Sequence, residues 1–280
     1  MSQLPYELEF MHKYNLHKLL GLLIEDDDIP AIARIYGVSL DELKDIDRRY
    51  RQNVSRMARE LASKRPPEPA VAPLTILALG DSITSDRESY VKILAEYWTL
   101  AAPSQGRSTA ADVSGQSLRR IIDCGISGDT CCDVVNRFYS TVLNEEFDWA
   151  IVFLGTNDCR QLDDPARISN LSLEEFGRDL RYFVERLLKR GKEVVHVTLP
   201  PVDNERLREF FPDDNWVYDP AHLEAANAII RELARENGSP VADLAEVLVG
   251  RESEVLEPDG LHLNAGGHLA LCRLLLDIVP

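Results

Sequence analysis

An α/β fold built on a mostly parallel sheet, with a small all-helical module in front of it, is the architecture this sequence predicts. Three observations carry the prediction. Beyond residue 74, short apolar runs alternate with amphipathic helical patterns, the signature of strands covered on both faces by helices. Before residue 66 the apolar spacing is helical. Between the two, Lys64-Arg65-Pro66-Pro67-Glu68-Pro69 sets three prolines in four residues, which cannot continue a helix and favour a stiff extended linker. The expected organisation is a helical module over 1–65, a Pro-rich linker over 66–73 and an α/β domain over 74–280.

In the helical module, one helix is expected from about Tyr6 to Leu23 and a short one around Ile32 to Tyr36. A third starts at Ser39-Leu40-Asp41-Glu42, a capping box in which Ser39 accepts from the backbone near Glu42 while Glu42 reaches back. Leu40, Leu43, Ile46, Tyr50, Val54, Met57 and Leu61 then recur at three- and four-residue spacing and lay one apolar stripe along that helix. The stripe has to be buried against something, and a homo-oligomer formed through these helices is one way to do it. Ala31 to Leu43 has the outline of a helix-turn-helix. A reading helix, however, presents Arg, Lys, Asn or Gln to base edges, and this one opens with Asp41, Glu42 and Asp45, so packing or dimerisation is the expected role.

In the second domain, Leu74–Leu79, Arg120–Cys124, Trp149–Leu154, Val194–Leu199 and Val241–Ala242 read as strands. Tyr90–Leu100, Cys131–Leu143, Leu173–Lys189, Ala221–Glu236 and Ala265–Ile278 read as helices. In parallel sheets ligands sit beyond the carboxyl ends of the strands, so the polar residues that follow each strand carry the functional expectation.

Composition narrows the chemistry. With 47 acidic and 31 basic residues the formal charge is −16, and because residues 1–65 balance 11 of each, all of it falls on the rest of the chain. General attraction to nucleic acid or to an anionic membrane face is thereby disfavoured, and a neutral or cationic small substrate fits better. The five cysteines, Cys124, Cys131, Cys132, Cys159 and Cys272, contain no C-x-x-C pair and suggest reduced thiols rather than disulfides or a zinc site. The amino end has no basic segment before its short apolar run, and no stretch is long enough for a membrane helix. A cytoplasmic protein is expected.

Four strand-end blocks carry chemistry. Gly80-Asp81-Ser82-Ile83-Thr84 sets a serine at the sheet edge, where a helix start can supply N–H groups. Gly125-Ile126-Ser127-Gly128-Asp129-Thr130 offers an unobstructed N–H at Gly128, suited to an oxyanion and equally to an ordinary loop. In Gly155-Thr156-Asn157-Asp158, Asn157 is a neutral amide donor, or else Asn157 or Asp158 caps the next helix. In Asp259-Gly260-Leu261-His262 a carboxylate three residues before a histidine can reach Nδ1 and leave Nε2 free as a base.

Taken in order, these blocks resemble those of the SGNH (GDSL) hydrolase family, over about residues 74–280. The resemblance implies a flavodoxin-like three-layer α/β/α sandwich around a parallel sheet of five strands. It implies a catalytic triad of Ser82, Asp259 and His262, an oxyanion hole made by Ser82, Gly128 and Asn157, and no cofactor or metal. Two positions depart from the family pattern: Ile83 stands where leucine is frequent, and Cys124 where several members carry asparagine. The helical module lies outside the pattern.

Other residues have quieter readings. Cys159 has no histidine near it in sequence and reads as a packed thiol; His196 and His222 read as structural, and His268 as a weaker candidate base than His262. His12 and His17 have no metal spacing, and Glu25 to Asp28 reads as a solvated loop. The long connection between Pro200 and Pro220 crowds Phe210, Phe211, Trp216 and Tyr218 together, as a lid, a pocket wall or a loop pinned by its aromatics. Asp81, Arg87, Trp216 and Tyr218 are the candidate substrate contacts, with Tyr90 a further possibility. The expected activity is a serine esterase that passes through an acyl-enzyme and takes a small-molecule ester with a short acyl group on a polar molecule or sugar. An acyltransferase or thioesterase would use the same groups, and a non-catalytic binding protein is the rival of another kind.

Overall fold

The computed structural model describes residues 4–21, 24–68, 70, 72–101, 118–163 and 167–280. Leu22 and Leu23 of the expected first helix, and Pro69 and Val71 of the expected linker, lie outside them.

Five parallel strands, β1 (Leu74–Gly80), β2 (Arg119–Gly125), β3 (Trp149–Phe153), β5 (Glu193–Val197) and β7 (Val241–Ala242), form one sheet in the order β2-β1-β3-β5-β7. A separate two-stranded ribbon pairs β4 (Gln161–Leu162) with β6 (Trp216–Val217). The chain leaves β1 first to one side, for β2, and then to the other, for β3. That reversal opens a crevice at the carboxyl ends of these strands.

Alternate residues of the strands feed two cores. Ile76, Ala78, Ile151, Phe153, Val195 and Val197 face one layer, built by α3 (Leu40–Lys64), α5 (Tyr90–Thr99) and α12 (Ala265–Ile278). Leu77, Leu79, Ala150, Val152 and Val194 face the other, built by α6 (Cys131–Arg137), α7 (Leu173–Lys189) and α9 (Pro220–Asn237). Helix starts are set chemically: Thr130 with Asp133 and Ser172 with Glu175 form full capping boxes, and Asp219 caps α9 ahead of Pro220. Of the box expected at Ser39, the bond from Glu42 N to Ser39 Oγ is present at 3.2 Å. Short helices α4 (Ser82–Ser85), α8 (Asn204–Phe210), α10 (Leu244–Leu248) and α11 (Glu252–Val255) complete the domain.

At the amino end the structure differs from the single helix expected. Helix α1 (Leu4–Lys13) stops, Asn15 takes a left-handed conformation (φ 52°), and a 3₁₀ helix, Leu16–Leu20, follows in a new direction. The break lets the Asn15 amide donate to Ser85 O at 2.6 Å, a distant partner that local periodicity does not register. Helix α2 (Ile29–Tyr36) begins earlier than expected, capped by Asp28.

The apolar stripe of α3 is covered within the chain. Leu43, Ile46 and Tyr50 pack with Leu8, Ile29, Ile32 and Ala33 in a small cluster, and Val54, Met57, Ala58 and Leu61 join the core beneath the sheet. It therefore presents no open face to a second copy, which removes the reason for expecting a homo-oligomer there. Among the described residues no helix is long and apolar enough to cross a membrane.

Because Leu61 is fully buried in the core shared by α3 and the sheet, Leu61→Ala should lower unfolding free energy by about 2–5 kcal/mol. Chemical denaturation followed by circular dichroism measures this. A loss below about 1 kcal/mol would mean that α3 is only loosely seated.

Candidate active site

The turn leaving β1 begins with Asp81, whose Oδ1 accepts from Ile83 N at 2.9 Å and so caps α4. Ser82 is the first residue of that helix. Far along the chain, Asp259 folds the other half of the site. Its Oδ1 accepts from Leu261 N at 2.9 Å and from His262 N at 3.0 Å, while its Oδ2 lies 2.6 Å from His262 Nδ1. Gly260 makes this turn possible: its φ is +70°, and a Cβ there would come within 2.5 Å of Asp203 O. With Nδ1–H donated to the carboxylate, Nε2 is the free acceptor, and it stands 2.9 Å from Ser82 Oγ.

The electrostatics follow from burial and pairing. Burial alone would neutralise both partners. The charge and hydrogen bonds of His262 nevertheless hold Asp259 down at about 2. In the same way burial opposes charge on His262, and the Asp259 carboxylate outweighs it and raises the imidazole above its ordinary value. Nearby carboxyls answer to burial instead: Asp81 is pushed up to about 7, and Asp158 and Asp129 to about 6.

Ser82, Gly128, Asn157 and His262 line one cavity of about 210 Å³. Gly128 has φ +83° with nothing within 4 Å of a notional Cβ, so the left-handed backbone, not space, calls for glycine. Asn157 Nδ2 donates to Asp129 O at 3.1 Å, which fixes the amide and leaves its second N–H available. Neither Asn157 nor Asp158 caps the helix that follows, α7, which Ser172 caps; Asp158 Oδ1 instead accepts from Cys131 N, tying this turn back to the start of α6. A larger cavity of about 580 Å³ lies near the ends of β5 and β7. Its Arg231 and Asp243 are paired with each other, and no hydroxyl–imidazole pair lines it among the described residues.

Of the candidate substrate contacts, Trp216 and Tyr218 line the smaller cavity beside Phe211. Asp81 and Arg87 do not. Asp81 is spent on the backbone of α4, and Arg87 is a buried strut: Nε donates to His12 O, Nη1 to Asp47 Oδ1 and Nη2 to Asp26 O. Tyr90 lies behind the Ser82 turn, its hydroxyl 3.0 Å from Thr84 Oγ1. His268 accepts from Tyr90 N and faces Asp86, and Cys159 is buried.

Sequence reasoning missed one wall altogether. Phe10 and Tyr14 of the amino-terminal segment, with Leu16 and Leu19, line the cavity. The Tyr14 ring stacks on His262 with centroids 4.0 Å apart and 23° between planes, and Phe10 meets it edge-on at 5.9 Å. Ser127 Oγ donates to Tyr14 O, and Lys18 Nζ to Gly125 O at 3.3 Å. Arg160, which no sequence motif marks, lines the same cavity with its guanidinium 4.3 Å from the centre of the Trp216 ring.

Comparison with known proteins bears on family and fold. Residues 78–270 match the GDSL-like lipase/acylhydrolase family. The chain is 27% identical over 165 residues to an acetylxylan esterase of Geobacillus stearothermophilus, covering 56% of this chain and 70% of that protein. Among solved structures, a lipase/acylhydrolase from Enterococcus faecalis superposes with TM-score 0.55 at 24% identity, covering 73% of this chain and 94% of that one. An acetylxylan esterase from Geobacillus stearothermophilus gives TM-score 0.52 at 20% identity, with 74% and 94% covered. At these identities the superpositions speak for the fold.

The raised His262 imidazole has a direct check. By proton NMR its ring should titrate above 6.5, and Asp259→Asn should bring the midpoint down, because the carboxylate is what outweighs burial. A midpoint that does not move in Asp259→Asn would contradict that cause.

Proposed function

This chain belongs to the GDSL-like lipase/acylhydrolase family, and on that premise we propose that it hydrolyses a carboxylic ester of a short acyl group through an acyl-enzyme on Ser82. It is a GDSL-family esterase. One observation carries it: Ser82 Oγ, His262 Nε2 and the Asp259 carboxylate form a continuous hydrogen-bonded chain, at 2.9 and 2.6 Å, on the wall of a cavity that Gly128 and Asn157 share.

In this mechanism Ser82 Oγ attacks the carbonyl carbon as its proton passes to His262 Nε2. The developing oxyanion accepts from the N–H groups of Ser82 and Gly128 and from the Asn157 side chain. Collapse expels the alcohol, which takes the proton from Nε2 and leaves the acyl group on Ser82. Water then attacks the acyl carbon, giving its proton to Nε2; the second collapse frees the acid and returns the proton to Ser82 Oγ.

A short acyl group is supported by the cavity volume of about 210 Å³ and by the aromatic wall that Phe10, Tyr14 and Phe211 set around it. A sugar or other small polar alcohol is supported by the likeness to acetylxylan esterases. Free cysteines, four of them buried, support a cytoplasmic setting.

Aryl esters of increasing acyl length test this reading. Turnover should be highest for acetyl to butyryl esters and disappear in Ser82→Ala; an undiminished rate in Ser82→Ala would overturn it. Asn157→Ala should lower kcat by about 100- to 1,000-fold with folding intact. A near-wild-type rate would remove Asn157 from the oxyanion hole.

For the wild-type enzyme kcat/KM should fall as pH drops through the raised His262 value, since the protonated ring cannot accept from Ser82. An acid limb that persists unchanged in the residual activity of His262→Gln would assign it to another group.

A further inference from the structure

The reaction just described leaves one cation in its own cavity without a task. Arg160 stands on the turn that follows β3, with its N–H donating to Asn157 O at 3.4 Å, so it is adjacent to the oxyanion donors. Its guanidinium lies over Trp216 at 4.3 Å, an arrangement that holds the plane of the fork in place. No carboxylate among the described residues pairs with it. Other cations around the site are all matched: Arg87 with Asp47, Lys92 with Asp123, Arg137 with Asp129. In a chain with 47 acidic residues against 31 basic ones, carboxylates are plentiful, and an unmatched guanidinium on a cavity wall has been left open.

A second group shares that wall. Tyr218 is almost fully buried and lines the cavity, yet its hydroxyl has no hydrogen-bond partner among the described residues. A buried hydroxyl left unpaired is unfavourable, so a ligand atom that accepts from it regains what burial took away. Burial pushes the phenol up and the positive charge of Arg160 pulls the other way, so the two groups act on one another.

We infer that Arg160 and Tyr218 form an anion subsite that takes a carboxylate carried by the ester substrate, a few atoms from the carbonyl that Ser82 attacks. The inference rests on the esterase reading and refines its substrate class. The guanidinium can meet both carboxylate oxygens through paired N–H groups, and the Tyr218 hydroxyl can donate to the nearer one. The excess negative charge of the chain favours neutral or cationic substrates at long range, but salt screens that field beyond about 10 Å, and contact recognition is set by the groups in the cavity.

The test separates the subsite from the chemistry by measuring binding to the non-hydrolysing Ser82→Ala protein. Calorimetry compares para-acetoxybenzoate with para-acetoxybenzamide, where the charge is on the alcohol, and monoethyl succinate with ethyl butyrate, where it is on the acyl group. The anionic member of one pair should bind roughly 10- to 100-fold more tightly, and the pair that shows the preference identifies which side of the ester bears the charge. Adding Arg160→Gln should abolish the preference, Tyr218→Phe should reduce it, and Arg160→Lys should retain part of it. Equal affinities in both pairs, or a preference that survives Arg160→Gln, would overturn the subsite. If the wild-type protein cleaves none of the four esters while the Arg160-dependent preference remains, the subsite stands and the esterase reading fails.

Discussion

Ser82 Oγ and His262 Nε2 stand 2.9 Å apart although 180 positions separate them in the chain, and this hydrogen bond is the interaction on which the rest of the structure depends. A serine hydroxyl is a weak nucleophile until a neighbour can take its proton. Each side of the bond is built by a different part of the fold. Ser82 is set by the exit of β1, which lies between β2 and β3 in the sheet. His262 is set by Asp259, which uses one oxygen to hold the turn and the other to hold the ring. The same carboxylate thus fixes position, tautomer and basicity at once.

The amino-terminal helices take part in that arrangement. Lys13 Nζ pairs at 2.8 Å with both Glu88, just beyond the Ser82 turn, and Glu257, two residues before Asp259. One cation therefore ties α1 to both loops that carry the Ser82–His262 pair. Asn15, Ser127 and Lys18 supply further ties to the strand ends, and Arg87 clamps the segment from beneath through Lys13 O, His12 O and Asp47. Removing one partner of a buried set of this kind leaves an uncompensated charge. The consequence for function is local: Tyr14 lies flat on the base, and Phe10 closes the side of the cavity. That wall of the cavity is made by residues that the family match does not reach.

Much of this was legible in the sequence because it is encoded locally. Apolar runs such as Leu74-Thr75-Ile76-Leu77-Ala78-Leu79 announce buried strands, and α7, α12 and β7 fall where spacing set them. The blocks around Ser82, Gly128, Asn157 and Asp259 sit at strand ends or turns, and the structure brings them to one cavity. What was illegible depends on distant partners. The break at Asn15 is made by Ser85, seventy residues away, with no proline or glycine to mark it. Arg87 looked like a substrate contact from its proximity to Ser82 in sequence, but its partners His12, Asp26 and Asp47 come from the helical module. Helix α8 and the aromatic connection show the same limit: spacing identified the aromatics, but only the fold shows that Phe211, Trp216 and Tyr218 line the same cavity as Ser82. Tyr14 and Arg160 carry no motif at all.

Activation of the Ser82 hydroxyl by the His262 imidazole is read directly by covalent labelling. Exposure to a fluorophosphonate followed by peptide mass spectrometry should place a single adduct on Ser82, with labelling lost in His262→Gln. A protein that stays unlabelled while folded, or one labelled on another residue, would contradict it.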